Sequence, residues 1–183
     1  MKKILLLDLD ETLIHTDFVE PERFDFTLKI HNGIKFQKGW VSVRPHLDLF
    51  LKTVSSHYEL WIWTAGTKQY ADYVIDKIDK HKLIKKRLYR KDCLVRKTVS
   101  DKIIYIKDIK KLNLQPNSVF LIDNNINSAI KQPDLILLIK DFFGSPKDNQ
   151  LILLTHYISQ HHHKTPKQLC RFWNDTQTFL FTV

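Results

Sequence analysis

The stretch KKILLLDLDETLIHT, residues 2–16, decides how this chain is read. Ile4 to Leu7 is an unbroken apolar run, the pattern of a short strand buried on both faces. It passes directly into Asp8, and further carboxylates follow at Asp10 and Glu11. Carboxylates at the end of a buried strand are costly unless they are paired or hold a metal. Either the acids mark where the strand reaches solvent, or they carry chemistry. The same pattern returns in SVFLIDNN, residues 118–125, where an apolar run ends in Asp123 and Asn124. A third apolar run, ELWIWTA at residues 59–65, ends in the polar Thr64.

Working outward, LILLIK at residues 135–140 and Ile103–Ile106 read as further strands. FDFTLKI, residues 24–30, alternates with Phe24, Phe26, Leu28 and Ile30 on one face. Asn32-Gly33 then gives a strong hairpin signal, and IKFQKGWVSV reads as the return strand. Helical spacing follows Arg44-Pro45 through Leu47, Phe50, Leu51 and Val54, and covers Gln69 to Ile78. A short helix is predicted at Asp108–Leu112, and a capped one opening at Ser145-Pro146 with Leu151, Leu154 and Ile158 inward. Residues 80–97 read as irregular. Strands alternating with helices predict an α/β fold, a Rossmann-like parallel sheet with helices on both faces and a small β-hairpin insertion after the first strand. Residues 1–163 form the expected domain, with the insertion at about 24–43. Residues 164–183 form a C-terminal tail of unclear role, whose FLFTV end reads as a strand or an apolar flap. In parallel sheets ligands bind beyond the carboxyl ends of the strands. Asp8, Asp10, Thr64, Asp123 and Asn124 should therefore converge on one edge.

Composition narrows the partners. With 183 residues and 43% apolar content, one domain with an ordinary core is expected. Lys plus Arg exceed Asp plus Glu by 29 to 20, giving a net charge of +9. That favours an anionic partner: nucleic acid, a phosphorylated protein or a small phosphate ester. Residues 80–97 supply most of the excess. They read as a solvated surface or as a docking surface for a phosphorylated or acidic tail. Cys93 and Cys170 lack metal-ligand spacing and favour a reducing compartment. No apolar run approaches the roughly 20 residues of a membrane span, so a soluble protein is expected. Four glycines leave no glycine-rich phosphate loop. His161–His163 read as an exposed helix end, and Phe24, Phe26, Trp40, Trp61 and Trp63 as packing.

Oxygen donors on neighbouring strand ends suit Mg²⁺, with Asp8, the Asp10 carbonyl and either Asp123 or Asn124 as the protein's share. Asp8 is placed to attack phosphorus. Asp10, two residues on, faces the same side and can exchange protons with the leaving oxygen and with water. Thr64 and Lys107 offer a hydroxyl and a charge to the phosphate oxygens.

With these residues assembled, the sequence resembles the haloacid dehalogenase superfamily of aspartate-nucleophile phosphatases. More narrowly, it resembles the small phosphatases that act on the C-terminal domain of RNA polymerase II, the NLI-interacting-factor-like group. The resemblance rests on DLDETL at Asp8–Leu13 followed by His15 and Phe18, VRPHLDLFL at Val43–Leu51 and WTAG at Trp63–Gly66. It continues through RLYRKDC at Arg87–Cys93, YIKDI at Tyr105–Ile109 and LIDNN at Leu121–Asn125, in family order over residues 3–158. It implies Asp8 as nucleophile and Asp10 as acid and base, with Thr64 and Lys107 on the phosphate. Asp8, the Asp10 carbonyl and Asn124, with Asp123 nearby, would hold Mg²⁺. Arg90 would meet the phosphate or the flanking peptide, and Phe18 would wall an apolar pocket beside the hairpin insertion. The implied substrate is phosphoserine next to proline, as in the polymerase tail. A phosphatase for nucleic-acid ends or small phosphate esters, and a non-catalytic phosphoprotein-binding module, are the rivals. A nuclear or cytoplasmic location is expected. Gly66 and Asn125 depart from the serines usual in the family, and the segment from Cys93 to Lys107 runs a few residues long.

Overall fold

A computed structural model describes residues 2–31, 36–115 and 117–179. In chain order the strands and helices are β1 (Lys3–Leu7), β2 (Ile14–Asp17), β3 (Phe26–His31), β4 (Phe36–Val43), α1 (Leu47–His57), β5 (Tyr58–Trp63) and α2 (Lys68–Ile78). There follow β6 (Ile84–Leu88), β7 (Leu94–Lys97), β8 (Ile103–Ile106), β9 (Val119–Asp123), β10 (Ile136–Leu138), α3 (Gln150–His161) and α4 (Pro166–Phe179). The opening strand is central: the parallel sheet runs β10-β9-β1-β5-β6. Leu5, Leu6 and Leu7 are completely buried, which is why an uninterrupted apolar run belongs there. Burying each such side chain contributes about 1.5–3 kcal/mol.

The pleat sorts the core into two layers. Leu5, Leu7, Leu60, Ile62, Phe120 and Ile122 face a layer with the buried residues of α1, α2, α3 and α4. Leu6, Trp61, Trp63, Val119 and Leu121 face a second layer closed by the short 3₁₀ turns Ile109–Leu112 and Ile126–Ala129. Beside this sheet, β2, β4 and β3 form a three-stranded antiparallel sheet. The predicted hairpin is thus joined by β2, which leaves the acidic loop directly. The Asn32-Gly33 turn lies outside the described residues.

Five local expectations are corrected. Residues 80–97 are not irregular: they contain β6, the sheet's edge strand, and β7. Edge strands carry exposed lysines, so only Ile84 and Leu88 gave an apolar signal there. Phe24 precedes β3 and is exposed, so it does not share the face of Phe26 and Leu28. Ser145-Pro146 opens a turn rather than a helix. Asp148 N donates to Ser145 O, and α3 begins at Gln150, whose N–H is accepted by the Asp148 carboxylate at 3.0 Å. The 164–183 segment contains α4, which packs on β10; Trp173 Nε1 donates to Leu138 O at 2.6 Å. Of FLFTV, residues 180–183 lie outside the described residues, as does the Phe179 side chain. Of the expected exposed helix end His161–His163, His163 is exposed, but His161 and His162 are partly buried among rings: His162 stacks on His57 at 4.0 Å, and His161 meets Tyr157 edge-on.

Candidate active site

The acidic loop is shaped by its leucines. Asp8 N still donates to Ile122 O at 2.9 Å, so the ladder reaches the first carboxylate. Leu9 and Leu13 are completely buried. Leu13 N and Ile14 N both donate to Leu9 O, and Glu11 adopts a left-handed conformation at φ 57°. The turn is pinned from below by the two leucines. Asp8 and Asp10 are thereby left lining a cavity of about 240 Å³ together with Lys107, Asp123 and Asn124.

Lys107 immediately follows β8. Its N–H donates to Ser128 O at 2.7 Å, and its carbonyl accepts from Gln132 Nε2 at 2.5 Å. The ammonium, nearly inaccessible to solvent, donates to Asp8 Oδ1 at 2.5 Å and to Asp123 Oδ2 at 2.6 Å. Residues 8, 107 and 123, distant in the chain, thus meet at one point. Asp123 also accepts from Ser128 Oγ at 2.7 Å and from Asn125 N at 2.8 Å. Asn124 is held between Thr12, whose hydroxyl donates to its Oδ1 at 3.1 Å, and Asp141, which accepts from its Nδ2 at 2.7 Å.

Asp10 sits between two hydroxyls. Thr64 Oγ1 donates to its Oδ2 at 3.1 Å, and the Tyr70 phenol donates to its Oδ1. The Thr64 hydroxyl also accepts from Gly66 N at 2.8 Å, so its one proton is committed to Asp10 in this arrangement. Gly66 has a steric reason: a Cβ there would lie 2.9 Å from the Tyr70 ring and 3.1 Å from Thr64 Oγ1. The phenol in turn hydrogen-bonds Thr16 Oγ1 at 2.8 Å. In the sequence Tyr70 is legible only as part of the helical spacing over Gln69 to Ile78. Ser128 and Gln132 gave no motif signal at all, because polar support arriving from turns has no periodicity.

A second cavity, of about 610 Å³, adjoins the first and shares Asp10, Glu11 and Ala65 with it. Phe18, half exposed, lines it with Ile30, Tyr70 and Arg90. Arg90 Nε donates to Ala65 O at 2.6 Å, and its guanidinium lies over the Tyr105 ring at 5.2 Å. Every residue singled out from the sequence therefore lies in or beside one of the two connected cavities. Asp8, Lys107 and Asp123 touch directly, while Arg90 and Phe18 stand at the rim.

Charge is unbalanced at the floor. Burial pushes the Asp8 carboxyl up to about 7, Lys107 pulls the other way, and Asp123 and Asp10 add to the push. Burial also raises Asp10, against its hydrogen bonds from Tyr70 and Thr64. Burial pushes Lys107 down, but Asp123 and Asp8 more than reverse this, so it stays an ammonium. One ammonium thus faces two buried carboxylates, Asp8 and Asp123, with the partly buried Asp10 beside them. The surplus of carboxylate oxygens lining the cavity fits a hard cation. Among the described residues no three His, Cys, Asp or Glu side chains gather closely enough to hold a metal unaided.

Comparison with known proteins adds to this geometry. The family model of the NLI interacting factor-like phosphatases matches residues 3–168. The chain belongs to that family. The match takes in both cavities and every candidate residue. Among curated relatives in the NLI interacting factor-like phosphatase family's range of similarity, the CTD nuclear envelope phosphatase 1B of Danio rerio is 38% identical over 162 residues, 84% of this chain and 64% of its own. The CTD small phosphatase-like protein 1 of Caenorhabditis elegans is 34% identical over 152 residues, 82% of this chain and 30% of its own. The chain therefore spans less than two thirds of these relatives. The solved structure of Fcp1, an essential RNA polymerase II CTD phosphatase, shares the fold with a TM-score of 0.63 at 20% identity, covering 88% of this chain and 51% of that one. Among the described residues no helix is long and apolar enough to cross a membrane.

Proposed function

We propose that this protein is a Mg²⁺-dependent phosphoprotein phosphatase that works through an aspartyl-phosphate on Asp8. Its substrate is phosphoserine next to proline, as in the tail of RNA polymerase II. The observation that carries the reading is the contact of Lys107 with both Asp8 and Asp123 at the floor of an open cavity, in a chain of this phosphatase family. The names of the curated relatives, CTD phosphatases, support the substrate class.

Asp8 Oδ1 is occupied by Lys107, while Oδ2 has no hydrogen bond among the described residues and is the attacking atom. As Oδ2 bonds to phosphorus, the serine oxygen leaves and takes a proton from Asp10, whose burial favours the protonated form. A water then attacks the phosphorus, giving its proton to Asp10, and phosphate departs from Asp8. Lys107 holds one phosphate oxygen as charge develops. Thr64, through its hydroxyl's bond to Asp10, fixes the acid at the edge of the phosphate site. Tyr70 keeps Asp10 in a single orientation. Asp8, the Asp10 carbonyl and Asp123 or Asn124 would hold Mg²⁺, which supplies Lewis-acid neutralisation of the phosphate's charge. Arg90 and Phe18 line the groove for the peptide flanking the phosphoserine, and the openness of the two cavities suits a chain rather than an enclosed metabolite.

The test is turnover of an aryl phosphate with Mg²⁺ and after EDTA, followed by phosphopeptides set against 5′- and 3′-phosphorylated oligonucleotides. Turnover that EDTA stops, with phosphopeptides preferred, is the expected result. EDTA-insensitive turnover removes the metal, and a preference for oligonucleotides moves the substrate class.

A further inference from the structure

The hairpin of β7 and β8 carries another cation to the mouth of the site. Its turn is closed at Thr98 and Lys102: Thr98 N donates to Lys102 O at 2.8 Å, and Lys102 N donates to Thr98 Oγ1 at 3.1 Å. Asp101 occupies the left-handed position of this turn at φ 61°, a conformation that Asp tolerates. Its carboxylate is taken by Lys97 at 2.8 Å. The adjacent Lys102 is therefore not neutralised, and among the described residues no carboxylate pairs with its ammonium. Lys102 nevertheless lines the same cavity as Asp8, Asp10 and Lys107. The hairpin that bears it is anchored at the other end of β8, where Lys107 enters the floor and Tyr105 supports Arg90.

An unpaired cation lining the same cavity as the proposed nucleophile attracts a second anion on whatever occupies that cavity. Lys102 and Lys107 stand five residues apart on extended chain, about 16 Å. A substrate peptide spans that distance in about five residues. Resting on the phosphoprotein reading above, we infer that Lys102 is a second anion subsite. It selects peptides carrying another phosphoserine or an acidic side chain within about five residues of the phosphoserine being cleaved.

The experiment compares kcat/KM for peptides that share one phosphoserine and carry Ser, Glu or a second phosphoserine at each of the five flanking positions. The second anion should raise kcat/KM about three- to fivefold at low salt, the scale of one exposed charge pair. Lys102→Ala should erase that gain, Lys102→Arg should keep it, and 0.5 M NaCl should shrink it. Equal values for all three peptides at every position, or a gain that survives Lys102→Ala, overturns the subsite while leaving the phosphatase reading intact. Should no peptide release phosphate, that underlying reading falls instead. Fluorescence anisotropy of the same labelled peptides then decides the subsite by the same comparison of wild type with Lys102→Ala.

Discussion

Two buried cations pack against the acidic loop, and they do opposite work. Arg44 is wholly buried and gives two hydrogen bonds to Asp148, at 2.8 and 2.9 Å. It also donates to Thr12 O at 2.9 Å and Lys140 O at 2.7 Å. One guanidinium meets one carboxylate, and two carbonyls take up two further donors. The group stitches the acidic loop to the end of β10 and the start of α3. It lines neither of the two site cavities. Lys107 is equally buried but faces Asp8 and Asp123 together, with Asp10 close enough to influence both. Its surroundings keep a surplus of negative charge and open onto a cavity. A balanced buried ion pair holds a fold; an unbalanced one beside a cavity has a place for something that is not yet part of the chain. Size does not make this distinction. A larger cavity, about 730 Å³, lies at the opposite end of the strands against Lys2, Tyr58 and Glu59, without any cluster of buried charge.

The contrast can be broken from either side. The largest effect is expected for Asp8→Asn. It removes the proposed nucleophile while leaving a neutral group of the same shape beside Lys107. Aryl-phosphate turnover should fall about 10⁴-fold or more, with the far-ultraviolet circular dichroism unchanged. Retained turnover would move the nucleophile elsewhere. Arg44→Ala addresses the other cation. It strands the largely covered Asp148 carboxylate and two carbonyls, and should cost about 3 kcal/mol in urea unfolding. A loss below about 1 kcal/mol would show that water reaches the pair and that Arg44 is not the stitch described here.

Smaller effects sharpen the comparison. Tyr70→Phe deletes the phenol's hydrogen bond to Asp10 and leaves the ring packing in place. One such bond is worth about 1 kcal/mol. A roughly fivefold to tenfold drop in kcat, with little change in KM, is expected from steady-state kinetics. A change confined to KM would instead place Tyr70 on the substrate. The smallest effect belongs to Asp72 on α2. Burial pushes its carboxyl up, but hydrogen bonds from Lys68, Arg87 and Tyr89 outweigh that and hold it at about 2. A carboxyl depressed in the folded state contributes stability above its unfolded value near 4, and that contribution is lost as pH falls from about 4 to 2. Asp72→Asn should therefore lower stability at pH 7 by less than about 1 kcal/mol, because the group is partly exposed. It should also flatten the acid limb of the urea midpoint against pH. An unchanged acid limb would show the network to be fully screened.

Much of this was legible before any coordinates. The strands β1, β5 and β9 were readable because a strand covered on both faces leaves no room for polar interruptions. Their ends were readable because Asp8, Thr64 and Asp123 are the first polar groups after such runs. The edge strand β6 was missed for the converse reason: half its surface is open, so IKKRL carries no apolar run. Helix α4 was missed because its buried residues, Leu169, Cys170 and Trp173, are few and scattered among polar ones. Ser145-Pro146 misled because Asp148 is drawn to Arg44, more than a hundred positions back, and this delays the start of α3.

Local order therefore settled which segments end in chemistry-bearing groups, since the periodicity of burial and the polarity of strand ends are properties of neighbouring residues. Which of those groups meet was decided only by the tertiary structure. That Lys107 bridges Asp8 and Asp123, that Tyr70 restrains Asp10, and that Arg44 is structural all depend on strand order and crossover paths. Those are fixed by the packing of distant segments into two layers. Interactions of long sequence separation leave no periodic trace in the chain, and the balance of charge at a buried point can be counted only after the chain has folded around it.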